Sequence, residues 1–178
     1  MRRSHALAVL SLLAALLGSG ACGADAAKPA DCSAAEYRQF DFWVGDWEVY
    51  DTDGKLQGHN LVEKVYGSCV IQENWHGVEG GTGSSFNIYD ASRKLWNETW
   101  VSSHGYFLSM DGYLRGKDMV MLGTHLDADG HTELHRGVWT PTNYGVHQTW
   151  EVSADGGHTW TMRFEGVLRR AAARSGTQ

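Results

Sequence analysis

Glu98, Asp111, His135 and Gln148 are the polar residues of this chain best placed to act together. Each falls on a strand-like segment, and the same segments carry Trp96, Trp100, Trp139 and Trp150. Two carboxylates on one buried face can work as a general acid–base pair, because burial raises the pKa of at least one of them. The same groups can also hydrogen-bond to Ser109, to Gln148 and to indole N–H groups, and so do no more than orient a guest. With Asn87 and Tyr89 they describe the wall of a ligand cavity, in which aromatic surface supplies burial and a few polar groups supply orientation. The chain has eight tryptophans. Each buries a large apolar body and needs a partner for its N–H, so the repetition builds either a core or a pocket.

Other motifs carry less chemistry. Ser153-Ala154-Asp155-Gly156-Gly157-His158-Thr159-Trp160 matches the Asp-box pattern of sialidase propellers. That motif builds a hairpin, with Ser and Asp satisfying turn amides and Trp packing beneath, and a propeller carries several copies where this chain has one. Metal binding needs three or four converging ligands. No H-x-H or HExxH occurs, and His104, His131 and His158 fall in or beside turns, so no metal site is expected. There is no nucleophile elbow, P-loop or dinucleotide fingerprint.

The elements that must position these residues are strands. Short alternating runs at 46–51, 58–66, 69–76, 83–89, 94–101, 106–114, 118–126, 131–140, 146–153 and 158–169 are separated by turns rich in Gly, Asp and Asn. Ser33 and Glu36 have capping-box spacing for one helical turn before the first strand. Ten sequential antiparallel strands close into an up-and-down barrel, which removes exposed edges and leaves interior volume. The fold class is therefore all-β. If the turns hold even numbers of residues, Trp100 faces Phe107, Tyr113 faces Val120, Thr124 faces Glu133, Trp139 faces Val146 and Trp96 lies opposite Asn87. One face then collects Asn87, Tyr89, Trp96, Glu98, Trp100, Phe107, Ser109, Asp111, Tyr113, Leu122, His135, Trp139, Gln148 and Trp150, and is expected to be the interior. One odd turn would flip every strand after it.

The chain of 178 residues starts with Met1-Arg2-Arg3, an apolar run over 6–17 and an Ala24-Asp25-Ala26 cleavage pattern, the marks of an export signal over 1–26. Ser19-Gly20-Ala21-Cys22 supports a second reading, a lipoprotein signal that would place a lipid on Cys22. Residues 27–45 read as a lead-in, 46–170 as the barrel and 171–178 as a tail. The expected location is periplasmic or secreted, with attachment to a membrane only through that lipid. Beyond the signal, Cys32 and Cys69 remain, and in an exported protein such a pair is expected to form a disulfide. Removing Arg2, Arg3 and Asp25 takes the 15 basic and 21 acidic residues to 13 and 20, and the net charge from −6 to −7. That balance argues against nucleic acid as a partner.

Gly45-Asp46-Trp47 resembles the first-strand G-x-W signature of the calycin superfamily: lipocalins, fatty-acid-binding proteins and nitrobindins. The resemblance implies that an Arg of the last strand stacks on Trp47, with Arg169 the candidate and Arg163 the alternative. Gln39 to Trp47, Phe86 to Asp90, Trp96 to Val101 and Asp155 to Trp160 are also similar to a set of small exported bacterial proteins of unknown function with calycin-like barrels, over residues 32–170. Glu98 departs from that pattern, where Gln is commoner, and adds a charge to the cavity. The nitrobindin likeness implies that haem could bind through one His, with His135 first; otherwise no cofactor is expected. Together these features describe a non-catalytic binder of a small hydrophobic or aromatic molecule. A barrel enzyme (isomerase, cyclase or hydrolase) using Glu98 or Asp111 with His135, and a packed structural envelope protein, stand as alternatives.

Overall fold

The computed structural model describes residues 32–172. The expected export signal, with Cys22, and the last six residues lie outside the described residues. Ten strands run in sequence: β1 (Gly45–Tyr50), β2 (Leu56–Val65), β3 (Val70–Gly77), β4 (Thr82–Asp90), β5 (Leu95–Ser102), β6 (Phe107–Arg115), β7 (Asp118–Leu126), β8 (Thr132–Thr142), β9 (Gly145–Ser153) and β10 (Thr161–Arg170). Every neighbour pair is antiparallel, and β1 pairs with β10, so the sheet closes into an up-and-down barrel. The alternation of apolar and polar residues along each strand produces this shape, because successive side chains point to opposite faces.

Two short 3₁₀ helices, Ala35–Arg38 and Asp41–Trp43, precede β1. The expected capping box does not form. Ala34 is the N-cap of the first helix, and no side chain caps it. The second helix delivers Phe40 and Trp43, both fully buried, into one end of the barrel. There Phe40 stacks on Trp43 at 4.8 Å and meets Trp96 and Trp139 edge-on. Trp47 donates its indole N–H to the Trp43 carbonyl at 2.8 Å. The Cys32–Cys69 disulfide ties this lead-in to the β2–β3 turn, and Asp41 forms ion pairs with Arg38 at 3.2 Å and with Lys64. One end of the barrel is thus stoppered by aromatic rings and fastened covalently.

The stacking partner of Trp47 is Arg170, whose guanidinium carbon lies 3.9 Å from the ring centroid. Arg169 instead lies over Tyr50 at 4.8 Å, and Arg163 sits at the other end of β10. The register explains the difference: Trp47 pairs with Arg170 and Glu48 with Arg169, so only Arg170 shares the inward face of Trp47 at the strand end. Gly45 leaves the space in which that guanidinium lies.

The expected interior is overturned on two strands. Ser102 bonds Tyr106 across a turn holding three residues, Ser103, His104 and Gly105, with Gly105 at φ 74°. The odd count puts Trp100 opposite Leu108, not Phe107. Along β6 and β7 the buried set is therefore Leu108, Met110, Met119 and Met121, whereas Phe107, Tyr113 and Leu122 are exposed. Ser109 and Asp111 face outward too. A second odd turn, Asp127–His131, pairs Thr124 with Leu134 rather than Glu133 and restores the expected phase. His135, Trp139, Gln148 and Trp150 consequently return to the inner face, although Trp139 pairs with Gln148 rather than Val146 and Trp96 with Tyr89 rather than Asn87. Among the described residues no helix is long and apolar enough to cross a membrane.

Candidate functional site

Opposite the aromatic stopper the barrel keeps a cavity of about 280 Å³. Its walls differ in character. Trp75 of β3, Trp100 of β5, Trp150 of β9 and Phe164 of β10 ring the end away from the stopper, with Trp75 and Phe164 edge-to-face at 6.2 Å. Trp139, which packs on Phe40 and Trp43, forms part of the floor, and Leu108 and Met110 supply aliphatic surface. Glycines on neighbouring strands make room for these rings: a Cβ at Gly83 would meet the Trp100 indole, and one at Gly58 that of Trp75. A bulge between Met162 and Phe164 turns Arg163, itself exposed, toward the rim of the cavity.

The remaining wall is polar and buried. Glu73 of β3 is 5% exposed and accepts hydrogen bonds from the Asn60 side-chain amide at 2.7 Å and from the Ser85 hydroxyl at 2.8 Å. Asn87 donates to Ser85 at 2.9 Å and to the Ile71 carbonyl at 3.4 Å. Glu98, next to Asn87 in the register, is 4% exposed and makes no hydrogen bond with a described residue; its Oε2 is buried without a partner. Burial pushes the Glu73 carboxyl up to about 7, against the pull of Ser85 and Asn60. Burial also raises Glu98 well above the ordinary carboxylate range, and the nearby Glu73 charge adds to that. Two carboxyls buried in one wall cannot both ionise cheaply, so the pair favours its protonated forms.

The expected site residues divide accordingly. Glu98, Trp100, Trp139, Gln148 and Trp150 line the cavity. Asn87 stands behind it in the Glu73 network. Trp96 and Tyr89 belong to the stopper: the Trp96 indole donates to Gln39 at 3.2 Å, and Tyr89 packs against Trp96 and Tyr37. Asp111 is on the outer surface, held by Arg93 at 2.6 Å and by Asn97 at 2.9 Å. It is removed from the candidate site. His135 is buried behind Trp150, which stacks on it at 5.6 Å and donates an N–H to its Nδ1 at 3.0 Å. An indole only donates, so Nδ1 carries the lone pair and Nε2 the proton. Burial lowers the His135 pKa, and Nε2 lies 3.9 Å from Glu133. Nε2 is buried without a hydrogen-bond partner; with Nδ1 engaged by Trp150 and Nε2 carrying the proton, neither nitrogen offers the free lone pair a haem ligand needs, and no chemistry is derived through that group.

Asn60, Glu73, Ser85, Trp75, Leu108, Met110, Arg163 and Phe164 are among the residues that sequence reasoning did not gather. Glu73 and Trp75 sit at alternate positions of one strand run, a signal comparable to that of Glu98 and Trp100. A face carried from turn to turn starting at Asn87, however, does not reach back to them. The Asp-box segment behaves as a hairpin motif: Asp155 accepts from the Thr159 amide at 2.8 Å, Ser153 accepts from the Gly157 amide at 2.8 Å, and Arg136 covers Trp160 at 4.1 Å. Neither a comparison with protein-family models nor one with the curated proteins finds a match to this chain.

Proposed function

We propose that this protein is an exported, calycin-like barrel that binds a small hydrophobic or aromatic molecule. The observation that carries the reading is the cavity of about 280 Å³, with indoles at one end and the Asn60–Glu73–Glu98 wall beside them. A barrel filled only for stability would not keep two carboxyls buried at such cost, since an unpaired buried polar group is among the more expensive features a core can hold. Export is supported by the leader pattern and by the Cys32–Cys69 disulfide.

The test is titration of the mature protein with a panel of aromatic and aliphatic lipophiles while intrinsic tryptophan fluorescence is monitored. Trp75, Trp100 and Trp150 should be quenched, and Leu108→Phe, which fills the cavity, should weaken the response without loss of fold. Fluorescence that stays unchanged across the panel would overturn the reading.

One observation favours an enzyme as the second reading: the Glu73 carboxyl, pushed up to about 7, is suited to general acid–base work near neutral pH. That reading requires a reaction abolished in Glu73→Gln while the fold is retained.

A further inference from the structure

The hydrogen-bonding capacity left open on the polar wall is lopsided. Glu73 spends both oxygens, one on Asn60 and one on Ser85. The Asn60 amide nitrogen faces Glu73, so its Oδ1 is left over, buried and unpartnered. The Asn87 amide nitrogen is committed to Ser85 and to the Ile71 carbonyl, which can only accept; its Oδ1 is left over too. Glu98 Oε2 is the third such atom. Asn60 Oδ1 and Asn87 Oδ1 only accept, and Glu98 Oε2 accepts once its carboxyl is ionised; Asn60 and Glu98 line the cavity, and Asn87 stands behind it. Against them, the cavity lining offers one buried unpartnered donor, the Trp139 indole N–H. A guest that satisfies the two acceptors on the cavity wall brings N–H or O–H groups, and a positive charge beside Glu98 favours its ionised form.

The opposite surface suits the same guest. Trp75, Trp100 and Trp150 line the same cavity as Glu98, and indoles are the best aromatic partners for a cation. Arg163, the cation at the rim, is exposed to solvent, which screens it from a charge held deeper in the cavity. We propose that the cavity takes a small hydrophobic amine, seated with its protonated nitrogen against Glu98 and the Asn60 side-chain oxygen and its apolar body among the indoles. The proposal rests on the binding role of the cavity and names the ligand class for it. The proton balance is simple. An incoming ammonium ion keeps its own proton and displaces that of Glu98 to solvent, whereas a free amine takes the Glu98 proton and becomes the ammonium ion itself.

The experiment compares 2-phenylethylamine, 2-phenylethanol and phenylacetate, which share a body and differ in charge, by calorimetry on the folded, disulfide-bonded protein. The amine should bind at least about tenfold tighter than the alcohol, and phenylacetate weakest. Glu98→Gln, nearly isosteric, should remove the advantage of the amine and bring amine and alcohol to equal affinity. If that variant does not fold, the wild type still decides: amine binding measured in two buffers of different ionisation enthalpy should release protons, and alcohol binding should not. Alcohol or phenylacetate binding as tightly as the amine would overturn this inference and leave the cavity reading standing. Failure of all three probes to bind would overturn this inference too, and the lipophile titration then decides the binding reading separately.

Discussion

Replacing Glu73 with Gln tests how much strain the polar wall puts on the barrel. Glu73 is buried among Asn60, Ser85 and the cavity lining, and burial lifts its carboxyl from 4.5 to about 7. The folded state therefore holds this proton more tightly than the unfolded chain does. The corresponding stability is fully present below about 4.5 and is lost as the pH rises through about 7. At 1.36 kcal/mol per pK unit, the gap amounts to about 3 kcal/mol, a large part of the roughly 5–15 kcal/mol that holds a domain together. Gln keeps the carbonyl that accepts from Asn60, and its amide can donate to the Ser85 oxygen, so the network survives without a charge to bury. Glu98 titrates in the same direction, and loss of the Glu73 charge removes one of the two causes that raise it. The assay is urea unfolding at fixed points from about pH 5 to about pH 9, without reductant so that the disulfide stays intact. The wild type should lose stability across that range, and Glu73→Gln should gain on it by about 3 kcal/mol at the alkaline end. Wild-type and variant curves that run parallel, or a wild type that grows more stable as pH rises, would refute the reasoning.

The stoppered end yields two further expected outcomes. Arg170→Ala uncovers the Trp47 ring, which is 1% exposed, and should cost about 1–2 kcal/mol of unfolding free energy, whereas Arg169→Ala, over the half-buried Tyr50, should cost under about 1 kcal/mol. Equal effects in urea melts would contradict the pairing of Trp47 with Arg170. Reduction of Cys32–Cys69, which spans 37 residues of sequence, should lower stability by about 3–4 kcal/mol on chain-entropy grounds, read as a shift of the urea midpoint on adding reductant.

The sequence by itself determined the number, order and near-correct limits of the strands, because alternation with period two and Gly- or Asp-rich turns are local signals. All ten segments were legible, and β7 matches its expected limits of 118–126. The last strand starts at Thr161 rather than 158 because the Asp-box turn runs through Trp160. Closure came from the count of strands, and the disulfide from a pair of cysteines that follow an expected export signal. Glu98, Trp100, Trp139, Gln148 and Trp150 could be placed on one face by parity.

Only the tertiary structure decided the rest. Parity depends on the length of each turn, and a turn's sequence does not announce whether it holds three residues or four; Gly105 at positive φ and the Asp127–His131 loop each changed the face of the next strands. Asp111 left the site and Met110 entered it on that account. Which Arg stacks on Trp47 depends on a one-residue register between the first and last strands, far apart in sequence. The pairing of Glu73 with Glu98 needed two strands brought together across β4, and their raised pKa values needed the burial that only closure of the barrel supplies. The stopper formed by Phe40 and Trp43 drew Trp96 away from the cavity, since an indole on the inner face can serve the end plug as readily as the ligand space.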